Sequence, residues 1–354
     1  MENSTPLKSI IPQIRFRESN GILDDHIDHL MALAGNIQRP ALVRGMILTA
    51  LKAGTEDSQG VDLKIMNTTL KEMRYTAKVF SSYPNKRKVT VFGSARTPTH
   101  APEYQLAKAF GKSLSTSGYM VITGGGPGIM QAVNEGAGSD HSFGVNIRLP
   151  WEDAPNDVVK GNPRSINYKY FFNRKLAFLK EAHAIAAFPG GFGTHDEVME
   201  TLTLLQTGKL QPLPVLLLDK PGGTYWSRWL SFVSEVLLAD GYIGETDLSF
   251  FKLASTSEAA IDHITGFYKN YHSLRYVHKR LVLRLNSALD QSQAQMLARE
   301  FKDILLPGGS ISPSKALTEE FNEVDLIDLP RLIIDFDLKS FSRLKMLIDI
   351  INSL

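Results

Sequence analysis

The chain is predicted to be an α/β protein: a doubly wound parallel sheet with a helical N-terminal extension and a small α+β C-terminal appendage. Three observations carry this. Between Lys88 and Tyr271, short and almost wholly apolar segments alternate with amphipathic helical ones. Several of the apolar segments run straight into glycine turns. Outside that range the rhythm changes at both ends.

Residues 1–85 contain no convincing strand series. HIDHLMALAGNI (26–37) and RPALVRGMILTALKAG (39–54) space apolar residues at helical intervals. The alternation begins with VTVFG (89–93), a buried strand, and PEYQLAKAFGKSLSTSG (102–118), an amphipathic helix ending on glycine. YMVITGGG (119–126) is a strand entering a turn, GIMQAVNEGA (128–137) a helix, and FGVNIRLP (143–150) a third strand. FFNRKLAFLKEA (171–182) reads as a helix, AIAAFPGG (184–191) as a strand and turn, and GTHDEVMETLTLLQTG (193–208) as a helix. PVLLLD (214–219), TYWSRWLSFVSEVLLADG (224–241), FKLAS (251–255) and SEAAIDHITGFYKNY (257–271) complete the series. Apolar strands alternating with helices describe a parallel sheet covered on both faces, the Rossmann-like pattern, which binds ligands at the carboxyl ends of its strands.

The predicted division is residues 1–87, a helical extension; 88–272, a nucleotide-binding catalytic domain; and 273–354, the appendage. In the last, RLVLRLN (280–286) and PRLIIDFDL (330–338) look like strands. QAQMLAREFKDIL (293–305) and SRLKMLIDIINSL (342–354) look like helices, and the tract 307–325 is polar and turn-rich.

Composition narrows the functions. A 43% hydrophobic and 21% charged chain can bury a sizeable core. With 39 basic and 37 acidic residues, the net charge of +2 gives no broad field for nucleic acid or an anionic membrane. The chain has no cysteine, which excludes disulfides, thiolate nucleophiles and cysteine-ligated metals. No segment approaches the ~20 apolar residues of a membrane-spanning helix, and MENSTPLKSIIPQIRFRES lacks the apolar run of a signal peptide. A cytoplasmic protein without nucleic-acid or membrane partners is expected.

Pro-Gly-Gly occurs at 189–191, 221–223 and 307–309, so the tripeptide alone says little. Only the first copy continues into Gly193, Thr194 and Glu197. There a strand ends, the chain turns on Gly190, Gly191 and Gly193, and a helix begins with free N–H groups and a positive dipole end, a place for an anion. Thr194 to Glu197 also matches a capping box, with Thr194 as the cap; both readings stand. Gly124, Gly125, Gly126 and Gly128 form a second turn of this kind, which is neither a G-x-G-x-x-G fingerprint nor a Walker loop. Gly93, Ser94 and Arg96 follow the first strand. Arg174 and Lys175 are adjacent on a helix between these turns, where a guanidinium fork suits phosphate oxygens and a helix-surface charge pair is the plainer alternative.

Together these motifs resemble the Lonely Guy family, the cytokinin riboside 5′-monophosphate phosphoribohydrolases. The family's PGGxGTxxE stands here as Pro189 to Glu197, its Gly-Gly-Gly-x-x-Gly-Leu/Ile-Met as Gly124 to Met130, and its Arg-Lys pair as Arg174-Lys175. The resemblance covers about residues 88–270, and the chain looks like a longer bacterial type of the family. It implies hydrolysis of the N-glycosidic bond of a nucleoside 5′-monophosphate to free base and ribose 5-phosphate, with no cofactor and no metal, by a homo-oligomer (a dimer or a multiple of one). Arg174 and Glu197 would be catalytic. Substrate contacts would come from Gly93, Ser94, Arg96, Gly124, Gly125, Gly126, Gly128, Met130, Lys175, Gly190, Gly191, Phe192, Gly193, Thr194 and Asp196. A lysine decarboxylase label used for such proteins has no support, since no Schiff-base lysine can be argued. The rival is a non-catalytic nucleotide or molybdopterin-cofactor carrier of the same fold, which would need the glycine turns but not Arg174 with Glu197. The run Asp24-Asp25-His26-Ile27-Asp28-His29 invites a metal reading that lacks a second group of ligands. Thr203 and Gln206 either face the base pocket or serve helix packing.

Overall fold

The computed structural model describes residues 14–16, 18–57, 59–148 and 155–354. They divide into two compact units, one ending at Arg74 and the other running from Tyr75 to Leu354. The first 13 residues, the N-terminal part of the segment expected to lack a signal peptide, lie outside the described residues, as do Leu149 and Pro150 of the third predicted strand.

The first unit is helical: α1 (Ile22–Ala34), α2 (Pro40–Glu56) and the start of α3 (Val61–Phe80). The run read as a metal motif lies on α1, where Asp24 pairs with Arg44 at 2.5 Å and Asp28 with the same arginine at 3.6 Å.

In the second unit the strands and helices run β1 (Lys88–Phe92), α4 (Pro102–Thr116), β2 (Met120–Thr123), α5 (Ile129–Ala137), β3 (Ser142–Ile147), β4 (Ser165–Tyr168), α6 (Phe171–Lys180), β5 (Ala184–Ala187), α7 (Phe192–Gln206), β6 (Val215–Leu218), α8 (Tyr225–Phe232), β7 (Phe251–Ala254) and α9 (Ser257–Phe267). The strands form a seven-stranded, all-parallel sheet in the order β4-β3-β2-β1-β5-β6-β7. Alternate side chains feed two cores. Val89, Val91, Val121, Ala186 and Leu216 point to the face covered by α4, α5 and α9. Phe92, Ile122, Ile185, Val215 and Leu217 point to the face where Phe178, Val198 and Trp226 pack. The winding reverses between β1 and β5, and the carboxyl end of such a switch point is an open crevice.

The remainder is β8 (Tyr271–Val277), β9 (Arg280–Leu285), α10 (Gln291–Glu300), β10 (Ile311–Ser314), β11 (Arg331–Ile334) and α11 (Phe341–Ser353). Its antiparallel sheet, β10-β11-β9-β8, buries Leu281, Leu283, Leu332 and Ile334 with Leu344, Leu347 and Ile351 of α11. Among the described residues no helix is long and apolar enough to cross a membrane.

Among the strands and helices of this unit the differences from expectation are local. β4, β8 and β10 are additional strands, and all three lie at sheet edges. Edge strands carry polar residues and tolerate proline, as Pro313 does in β10, so their apolar signal is weak. The last predicted helix of the core ends at Phe267, and Tyr271 instead begins β8. The helix expected over 224–241 is α-helical only to Phe232, with a π-helical stretch over Val233–Leu238.

Candidate functional site

Three turns leave the carboxyl edge of the sheet beside the switch point, after β1, β2 and β5. They are tied to one another through Ser94. Its N–H donates to the Pro189 carbonyl at 3.1 Å, and its own carbonyl accepts from Ile129 N–H at 3.0 Å. Such lacing leaves no room for side chains. At Gly128, where φ is +67°, a Cβ would sit 2.3 Å from the Ser94 carbonyl oxygen; at Gly190 it would sit 2.1 Å from Thr194 Oγ1. Glycine is required at both by close approach, and at Gly128 by the left-handed backbone as well.

The second turn is braced from below. Thr123 Oγ1 accepts from Gly125 N–H at 3.1 Å and donates to Asn134 at 2.8 Å. Asn156 Nδ2 donates to the Gly125 and Gly126 carbonyls, each at 3.0 Å. Met130 fills the space beneath: a Cβ on Gly126 would meet its Cε at 3.0 Å. Arg96, after β1, is exposed, and its N–H donates to Ser94 Oγ at 3.1 Å.

The third turn corrects the capping expectation. α7 begins at Phe192 with Gly191 as the N-cap, and no side chain caps it. Thr194 is therefore inside the first turn, 6% exposed and packed against Gly190, and it forms no capping box with Glu197. Gly191 instead takes the extended cap conformation, so the helix starts earlier than expected. Gly191, Phe192 and Gly193 are exposed, Phe192 at 97%. No backbone hydrogen bond from their N–H groups is found among the described residues.

Two helices bring charge to the turns. Arg174, in the first turn of α6, lies over the Phe171 and Phe178 rings at 5.4 and 5.2 Å. Its Nη2 is 3.8 Å from where a Cβ on Gly124 would stand. Glu197 of α7 is 8% exposed, and its Oε2 is buried without a hydrogen-bond partner. Lys175 Nζ is 4.0 Å from that oxygen, within ion-pair reach but too long for a hydrogen bond. The same ammonium holds Asp196 at 2.8 Å and Glu200 at 3.6 Å. Burial pushes the Glu197 carboxyl up to about 7; Lys175 and Arg174 pull it down, while Asp196 and Glu200 push it up. Burial acts to lower the Lys175 value, but its carboxylate partners outweigh that and raise it. The structure thus brings Arg174, Lys175, Asp196 and Glu197 to the turns, with Lys175 engaged by carboxylates. Thr203 and Gln206 are used otherwise: Thr203 donates to the Met199 carbonyl at 2.8 Å and Gln206 to Asp247 at 2.7 Å.

Sequence reasoning missed Asn134, Asn156 and Tyr225, the side chains that hold the turns. The Tyr225 hydroxyl donates to the Gly190 carbonyl at 2.5 Å, across 35 residues. No motif spacing connects such partners.

Residues 129–264 match a family model described as "Possible lysine decarboxylase". Over 191 residues the chain is 27% identical to the cytokinin riboside 5′-monophosphate phosphoribohydrolase LOG of Oryza sativa subsp. japonica, covering 52% of this chain and 75% of that protein. It is 26% identical to LOG3 of Arabidopsis thaliana, which carries the same activity in its name, covering 51% and 83%. The molybdenum cofactor carrier protein of Chlamydomonas reinhardtii aligns with 51% of this chain and 97% of its own, at 23% identity and a TM-score of 0.37, a likeness too slight to argue from.

Proposed function

We infer that the core of this chain belongs to the Lonely Guy family, and on that premise we propose that it hydrolyses the N-glycosidic bond of a nucleoside 5′-monophosphate to free base and ribose 5-phosphate. The observation that carries the reading is Glu197: a buried carboxylate with an unpartnered oxygen, one helical turn beyond a cluster of glycine turns suited to phosphate. A group whose pKa is moved to near neutrality in a crevice is what general acid–base chemistry requires.

The 5′-phosphate lies on the turns after β1, β2 and β5, with the exposed N–H groups of Gly191, Phe192 and Gly193 facing its oxygens and the dipole of α7 behind them. Arg174 orients the nucleotide from the Gly124 side. As the C1′–N bond breaks, its electron pair leaves with the base, which takes a proton from solvent, and positive charge builds on the ribose. Ionised Glu197 stabilises that charge and accepts the proton of the water that adds at C1′. Lys175 is assigned to Glu197 and its carboxylate neighbours rather than to the phosphate, because it sets how readily Glu197 ionises.

Pyridoxal phosphate chemistry does not fit these residues. A Schiff-base lysine must lose its proton readily, whereas Lys175 is held protonated by Asp196, Glu197 and Glu200. A homo-oligomer is proposed on the apolar surface beside the site: Phe171, Phe172 and Leu176 on α6 and Phe192 on α7 are exposed, and a second copy would cover them.

The test is incubation of the wild type and Glu197→Gln with AMP and a panel of other monophosphates, following free base chromatographically. Release by the wild type and its loss in the variant are expected. Tight nucleotide binding without release from any member of the panel would replace the hydrolase by a carrier.

A further inference from the structure

The phosphate loop of the proposed reaction contains a Gly-Gly peptide, Gly190–Gly191, and two glycines in series make a peptide that rotates easily. Its orientation matters. In a trans peptide the C=O and N–H point in opposite directions, and no cis bond is present among the described residues. One orientation offers the Gly191 N–H to an anion; the flipped one offers the Gly190 carbonyl oxygen, which repels it.

The Gly190 carbonyl is held. The Tyr225 hydroxyl, at the first position of α8, reaches it at 2.5 Å, and His195 Nε2 lies 2.6 Å from the same hydroxyl. A carbonyl oxygen can only accept, so the single phenolic proton goes to Gly190. His195 must therefore donate its Nε2–H to the phenolic oxygen, which fixes its tautomer. The start of α8 is itself anchored, since Tyr225 N–H donates to Asp219 Oδ2 at 2.9 Å and Asp219 N–H to the Ala254 carbonyl at 3.0 Å. His195 packs against Trp226, ring centroids 5.7 Å apart, and Trp226 is buried with its indole N–H on the Leu218 carbonyl at 3.0 Å.

We propose that Tyr225, oriented by His195, is a positioning residue that locks the Gly190–Gly191 peptide with its N–H turned to the 5′-phosphate. Neither side chain touches the reacting bond. The inference rests on the phosphate placement proposed above and deepens it: recognition of the phosphate depends on a hydroxyl outside the glycine motif.

Tyr225→Phe removes one oxygen and leaves the ring packing. With a monophosphate substrate, KM is expected to rise about tenfold, and the Kd for ribose 5-phosphate by the same factor, while kcat stays within about twofold. His195→Ala should move both constants the same way by a smaller factor, and His195→Gln, which keeps a donor, should restore part of the loss. Unchanged KM and Kd in Tyr225→Phe, or a fall in kcat alone, overturns the assignment. A merely structural role would lower the thermal midpoint and leave KM in place, which also overturns it. If the wild type binds ribose 5-phosphate yet hydrolyses no monophosphate, the proposed reaction fails while the Kd comparison still decides the role of Tyr225.

Discussion

Glu197 and Glu320 are both buried, at 8% and 0% exposure, yet their surroundings push them in opposite directions. Glu320 sits in the C-terminal sheet region with its oxygens engaged. Oε1 accepts from Arg284 Nε at 3.0 Å and Nη2 at 2.7 Å; Oε2 accepts from Arg331 Nε at 3.2 Å and Leu317 N–H at 3.1 Å. Burial alone would raise its pKa, but Arg284, the Leu317 N–H and Arg331 outweigh burial and hold it below the usual value. Glu197 has a lysine at 4.0 Å, two acidic neighbours and a bare oxygen, and burial prevails. Burial by itself therefore does not mark a working carboxylate. A satisfied buried charge holds structure together, and an unsatisfied one at a crevice stores the free energy that chemistry can use.

The largest effect expected from breaking this contrast is on Glu320. Glu320→Gln leaves Arg331 buried without its counter-ion and leaves Arg284 only Glu323, at 2.6 Å, and should cost about 3–5 kcal/mol of stability, read as a lowered denaturant midpoint. A midpoint within experimental error of the wild type would show that the arginines find other partners. Next, Glu197→Gln should lower kcat by about 10²-fold or more while the protein still folds. An active Gln variant would remove Glu197 from the chemistry.

The same substitution should also stabilise the protein. In the unfolded chain a glutamate ionises near its ordinary 4.5, but Glu197 in the folded chain only near 7. Stability is fully present below the lower value and is lost as pH rises through the window between them. Glu197→Gln should therefore exceed the wild type by roughly 3 kcal/mol at about pH 8, and the gain should vanish near pH 4. Equal stability at both pH values would show that the carboxylate is not strained by burial. In the wild type, kcat should rise with pH through about 7 as Glu197 ionises. The smallest effect expected is on that limb: Lys175→Met removes a neighbouring cation and should move it to higher pH by about one unit. A limb that stays in place would mean that Asp196 and Glu200 rearrange to cancel the loss.

The two glutamates also differ in how they stand in the sequence. Glu197 ends a nine-residue motif whose glycines, turn and helix start are local, so its candidacy is legible from the chain alone. Glu320 lies in the polar tract 307–325, which reads as turn-rich linker. Its burial depends on Arg284 and Arg331, from the strands β9 and β11, closing over it. Polarity in a linear sequence does not distinguish solvation by water from solvation by an arginine far along the chain.

By itself, the order of residues determined the alternation of apolar strands with helices from Lys88 onward and the glycine turns at three strand ends, and it singled out Arg174, Lys175 and Glu197 as candidates beside them. All of these are short-range, set by periodicity and by where glycine permits a turn. Only the tertiary structure decided that β5 pairs with β1 and brings the turns of 93–96 and 189–193 together. It also decided that Lys175 serves three carboxylates, that Thr194 packs rather than caps, and that Tyr225 reaches the Gly190 carbonyl. Those outcomes depend on contacts between segments far apart in the chain, which register, crossover and packing select and which no local pattern of residues encodes.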